Sequence, residues 1–170
     1  MAHARTRWWH PRFLRTAGSI TEAVYGLILA ISVIAVSREY DPANAGKIAV
    51  TVLVTGIVFW LAHVYARVLA ASLEHNRMVT RAELREVLRH DWPLVEVTVP
   101  LVVILALGAL DVVPDRAAVL VAVLVALVEL AAAGAYVARM SGAGVLVALG
   151  SAATAVALGG AVVLLKVLVH

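Results

Sequence analysis

The stretch Ile48-Ala49-Val50-Thr51-Val52-Leu53-Val54-Thr55-Gly56-Ile57-Val58-Phe59-Trp60-Leu61-Ala62-His63-Val64-Tyr65-Ala66-Arg67-Val68-Leu69 decides the fold class of this chain. It is a nearly unbroken apolar run, and a helix needs roughly 20 such residues to cross a hydrocarbon core about 30 Å thick. Four further runs flank it: Ser19 to Val36, Leu94 to Leu110, Ala117 to Ala138 and Gly142 to Val169. Backbone amides in lipid must be bonded internally, and the polar–apolar alternation of a β-barrel is absent, so the runs read as helices. Composition agrees: 63% of the 170 residues are hydrophobic, 15% are charged and the mean hydropathy is +0.96. A soluble fold of this size needs more polar surface. The expectation is an all-α polytopic membrane helix bundle, one transmembrane domain over residues 1–170 with about five spans, in a bacterial-type cell membrane.

Orientation follows from the cations, which are retained on the cytoplasmic side during insertion. With the N-terminus inside, the inner segments hold Arg5, Arg7, Arg12, Arg15, Arg67, Arg77, Arg81, Arg85, Arg89 and Arg139, against Arg38, Lys47, Arg116 and Lys166 outside. The N-terminus is therefore expected in the cytoplasm and, with five spans, the C-terminus outside. Residues 1–18 form a basic arm whose adjacent Trp8 and Trp9 suit an interfacial anchor.

Residues 71–91 are the longest polar stretch between spans, and they read as a helical connector. Thr80 followed by Glu83 is a capping-box pattern for a helix over Arg81 to Arg89. Arg81, Arg85 and Arg89 recur every fourth residue and fall on one stripe. That face either lies against anionic headgroups or is simply solvated.

Ionisable groups at membrane depth are costly and usually face protein or a water-filled cavity. Here Glu22, His63, Arg67, Glu96 and Glu129 all map to the inner half of the bilayer, with Glu129 roughly 13 Å from the cytoplasmic end of its helix and His63 roughly 9 Å. His63 and Arg67 share a helical face with Trp60. Glu22 matches them best in depth. Two readings stay open: Glu22 pairs with Arg67 or His63 merely to lock the first two helices, or Glu22, His63, Glu96 and Glu129 line a path for cations or protons, with His63 titrating near neutrality.

Other chemistry is not signalled. The spans lack Glu-x-x-His and His-x-x-x-His pairs, so no metal is expected. There is no Gly-x-Ser-x-Gly, Walker loop or dinucleotide fingerprint, so no enzyme activity or cofactor is expected, nor a nucleic-acid partner. Cysteine is absent. The hydroxyls in the spans, Thr51, Thr98 and Thr154 among them, read as helix-to-helix hydrogen-bond donors. In the fifth run Gly144, Ala148, Ser151, Ala155 and Gly159 form a small-residue stripe whose partner is either another helix of this chain or the same helix of a second subunit, and a homo-oligomer through this helix is expected. Pro93 and Pro100 flank Glu96, and Pro100 cannot donate to the carbonyl of Glu96, so a kink is expected beside that acid.

One resemblance rests on these residues. Ile20-Thr21-Glu22-Ala23-Val24-Tyr25-Gly26-Leu27, preceded by Arg15, resembles the Phe-Ser-Asp signature that opens the first helix of the endolysosomal and bacterial potassium-channel family. Phe59-Trp60-Leu61-Ala62-His63 is similar to that family's Trp-x-x-His. The resemblance implies that Thr21, Glu22, Trp60 and His63 form a polar network behind a pore-lining first helix, with Leu27 at the constriction. Ile-Thr-Glu stands here in place of Phe-Ser-Asp, and the likeness ends after His63.

The functional expectation is a membrane protein passing a monovalent cation or a proton. Its alternative is a non-transporting membrane module that binds a partner protein or anionic lipid through Arg81 to Arg89 and the fifth-helix stripe.

Overall fold

The computed structural model describes residues 17–40 and 44–169, with side chains described for 20–37, 44–161 and 164. Most of the basic arm, including Trp8 and Trp9, lies outside the described residues, as do the side chains of Arg38 and Lys166. The described residues form helices joined by short turns: α1 (Ala17–Tyr40), α2 (Ala45–His75), α3 (Arg81–Asp91), α4 (Pro93–Glu96), α5 (Val99–Ala109), α6 (Asp115–Met140) and α7 (Val145–Val169).

The helix ends are set by local chemistry. The Asn44 side chain accepts from the Lys47 amide at 2.9 Å and starts α2. Asn76, in the left-handed region at φ 48°, ends it with Asn76 N–H bonded to Leu73 and Arg77 N–H to Ser72. α2 thus runs on past Leu69, and its 31 residues span about 46 Å, longer than the hydrocarbon core is thick. The expected capping box opens α3: Glu83 N–H donates to Thr80 Oγ1 at 3.4 Å and Thr80 N–H to Glu83 Oε2 at 2.7 Å.

α1 is the central helix. It packs on α2, α4, α6 and α7, burying Ala23, Leu27, Ala30, Ile31 and Ile34, which recur at helical spacing on one side. In hydrocarbon these side chains gain close contact rather than release from water, so small residues that let helices approach matter most. At the α2–α5–α6 junction a methyl on Gly108 would stand 2.8 Å from Ala118 Cβ and 2.9 Å from Ala45 Cβ. The α6–α7 crossing is equally tight, because a methyl on Gly134 would lie 2.9 Å from the Ser151 carbonyl oxygen. Part of the α7 stripe packs within the chain: Ala148 is buried and Gly159 meets Leu130, Leu127 and Ile31, while nothing lies within 4 Å of a methyl placed on Gly144.

α1, α2 and α6 are each long and apolar enough to cross a bilayer, and α3–α4 with α5 makes a fourth if the bent pair counts as one span. α7 is apolar over Val145–Ala161. The third run, expected over Leu94 to Leu110 with a kink beside Glu96, is interrupted there. It breaks between α4 and α5 with a bend of 45°, where Pro100 leaves Glu96 without its usual amide donor and Thr98 N–H bonds back to Val95 instead.

Candidate functional site: a buried charge cluster

α2 changes character along its length. Its first half packs through Ile48, Ala49, Val52 and Gly56, whereas beyond Gly56 only Val64 is buried among its described residues. There the helix meets α1 and α3 through polar side chains. Arg67 Nη2 donates to Glu22 Oε1 at 2.5 Å, and Arg67 Nε lies 3.0 Å from Asp91 Oδ1. His63 Nε2 is 3.3 Å from Glu22 Oε2, and His90 Nδ1 is 3.4 Å from Asp91 Oδ1.

The carboxylates are deeply enclosed, Glu22 at 1% and Asp91 at 0% exposure. The Arg67 side chain is 39% exposed, so the guanidinium closes the cluster from one side. The geometry is ionic more than hydrogen-bonded: Glu22 Oε2 and both Asp91 oxygens are buried yet accept no aligned hydrogen bond among the described residues. Two carboxylates share one guanidinium, and each has an imidazole nitrogen beside it.

Beside Asp91, α4 makes a close contact with α1. Gly26 on α1 faces the Leu94 carbonyl so closely that a Cβ would overlap it, and Leu94 and Val95 are buried against α1. α4 is thereby drawn into the bundle, and the last turn of α3 comes with it. A carboxylate at a helix C-terminus is unfavourable against the helix dipole. Arg67 and His90 supply the compensating partners.

Aromatic rings wall the cluster. Tyr25 and Phe59 flank His63 with centroids at 6.3 and 5.7 Å. Trp60 meets Trp92 edge to face at 5.4 Å and 85°, joining α2 to the α3–α4 junction, and the Trp60 Nε1 is buried without a partner among the described residues.

Of the residues singled out in the sequence, Glu22, His63 and Arg67 are therefore brought together, with Trp60 beside them. Thr21 lies on the exposed side of α1, and Leu27 is in the packed core. Glu96 is half-exposed on α4 and makes no ion pair among the described residues. Glu129 is on α6, apart from the cluster, with its Oε2 buried and unpartnered among the described residues. The hydroxyls do not bridge helices as expected. Thr51 donates to Lys47, Thr98 to Val95 and Thr154 to Gly150, each a carbonyl of its own helical segment, because that oxygen lies within reach whatever the neighbouring helix offers.

No family model, curated protein or solved structure matches this chain. Its reading therefore rests on geometry. Asp91 and His90 are the site residues that sequence reasoning missed. The signal was present: Asp91 continues the helical stripe of Leu84, Val87 and Leu88, so a charge occupied a position at which the pattern calls for an apolar residue.

Proposed function

We propose that this chain is a multi-pass protein of the cell membrane that works as a non-transporting module, presenting α3 to anionic lipid headgroups at the cytoplasmic face. One observation carries the reading. Asp91 anchors one side of α3 in the bundle, while Arg81, Arg85 and Arg89 remain exposed and without a carboxylate partner among the described residues. Arg89 and Asp91 are two residues apart, about 200° around the helix, so pinning one side presents the other. A fixed row of unpaired guanidiniums attracts anionic headgroups without an entropy cost for ordering the helix. The polar residues of the spans support the same reading, since Glu22, His63 and Arg67 are engaged with one another.

Native mass spectrometry of the protein from mixed phosphatidylglycerol and phosphatidylcholine nanodiscs tests it. Phosphatidylglycerol should be retained in preference, and the triple change Arg81→Gln, Arg85→Gln, Arg89→Gln should abolish the preference. Equal retention by both proteins sinks the proposal.

A second reading, passage of a monovalent cation or proton, is favoured by Glu129, whose buried oxygen has no partner among the described residues. It is the function the potassium-channel resemblance implies. Proteoliposomes under a potassium or proton gradient distinguish the two: flux above that of empty vesicles, lost in Glu129→Gln, replaces the first reading with the second.

A further inference from the structure

We infer that the Glu22–His63–Arg67–His90–Asp91 cluster is a one-proton site whose occupancy latches α3 to the bundle. Charge is the first ground. Two carboxylates against one guanidinium leave the cluster one negative charge in excess while both imidazoles are neutral, and one bound proton cancels it. An uncompensated charge enclosed by protein is costly, so the neutral, singly protonated cluster is the form that packs best.

Geometry is the second ground. Three of the four carboxylate oxygens accept no hydrogen bond among the described residues, and the buried His90 Nδ1 is likewise unpartnered. His90 Nδ1 and Asp91 Oδ1 nevertheless face each other at 3.4 Å, and His63 Nε2 and Glu22 Oε2 at 3.3 Å. A proton on either imidazole turns one such approach into a charge-assisted hydrogen bond to a buried carboxylate. Imidazole is the side chain whose charge ordinarily changes near neutral pH.

α1 contributes Glu22 and the Tyr25 ring, α2 contributes His63 and Arg67, and α3 contributes His90 and Asp91, while Glu96 of α4 is half-exposed and pairs with none of them. The sign follows. Because the latched form is the one that holds the extra proton, acid favours the latch and alkali loosens it. The inference rests on the proposed role of α3 only in giving the latch an output; the site itself does not require lipid.

Trp60 and Trp92 straddle the latch and report on it. In full-length protein carrying Trp8→Phe and Trp9→Phe, these two remain as the tryptophans, and their emission in nanodiscs is followed from pH 5 to pH 9. One transition is expected, abolished in the double variant His63→Gln, His90→Gln. It is also expected to be lost in Asp91→Asn, which balances the charge without a proton while keeping both histidines. Helix content by circular dichroism confirms that each variant is folded. For any variant that is not, ¹⁵N-imidazole resonances of His63 and His90 in the otherwise unaltered protein replace it, and both should move in one step with a combined uptake of one proton.

The inference is overturned by a flat emission profile in the parent protein, by a transition surviving in the double histidine variant, or by one surviving in Asp91→Asn, which would mean that a titrating imidazole merely quenches Trp60. Lipid retention measured on the same samples separates the two ideas. Lost titration with intact phosphatidylglycerol preference removes the latch alone, and the reverse removes the lipid role alone.

Discussion

Gly26 on α1 lies against the carbonyl oxygen of Leu94 on α4, at a separation that admits no side chain. The contact places backbone on backbone where the third apolar run breaks, and it sets how deeply the end of α3 enters the bundle. Gly26→Ala should therefore be among the most disruptive single-methyl changes, costing about 1–3 kcal/mol or more because neither helix can yield a side chain to make room. Gly150→Ala on α7 is its control: nothing lies within 4 Å of the added methyl, and the change should be neutral or stabilise by up to about 1 kcal/mol. Apparent melting temperatures in detergent, measured side by side, check the contrast; equal effects would mean that α1 and α4 are not in contact.

Arg67 bridges Glu22 and Asp91, and Arg67→Met should strand both carboxylates. Breaking a buried pair from one side costs about 3–5 kcal/mol, and the partial exposure of Arg67 places this case at the lower end. Adding Glu22→Gln and Asp91→Asn to Arg67→Met should recover much of the loss. A cycle on stability with Arg67 as one partner and the two carboxylates together as the other tests this, and strict additivity would show that the groups are not coupled.

Glu129 should behave in the opposite way. With no partner among the described residues for its buried Oε2, Glu129→Gln removes a charge without orphaning another, and the melting temperature should stay or rise. A drop comparable to that of Arg67→Met would reveal a cationic partner.

The N-terminus of α3 has its own pH dependence. Glu83 is held down at about 2, first by hydrogen bonding to Arg77 and then by the Thr80 amide. A depressed carboxylate contributes stability that is complete above its ordinary value of 4.5 and is lost as pH falls through about 2. Amide exchange at the first turn of α3 should stay slow down to about pH 3 and quicken below it. The pair is exposed, so salt should shrink the effect. Glu83→Gln should remove the acid transition; its persistence would place the titrating group elsewhere.

Much of this protein is legible without coordinates. The runs containing α1, α2 and α6 are long and apolar, and lipid leaves a chain of that composition few options but helices, so hydropathy alone determined the class. The capping box of Thr80 and Glu83 is equally local, since its partners lie within one turn. Matching Glu22 to His63 and Arg67 needed only depth along two consecutive helices, because a buried acid and a buried cation at one level have strong reason to meet.

Three features were decided by the tertiary structure. The break between α4 and α5 is prefigured by Pro93 and Pro100, but the 45° size of its bend and the seating of Leu94 against Gly26 are not. The stripe on α7 meets α6 and α1 at Gly159, while a methyl placed on Gly144 would have nothing within 4 Å. Asp91 ends a stretch marked in the sequence only as a polar connector, and it is wholly buried. Local sequence records which residues prefer a helix and which tolerate lipid, but a charge at a helix end is buried or exposed according to how the next segment packs. Here that segment is α4, and it carries Asp91 inward to Arg67.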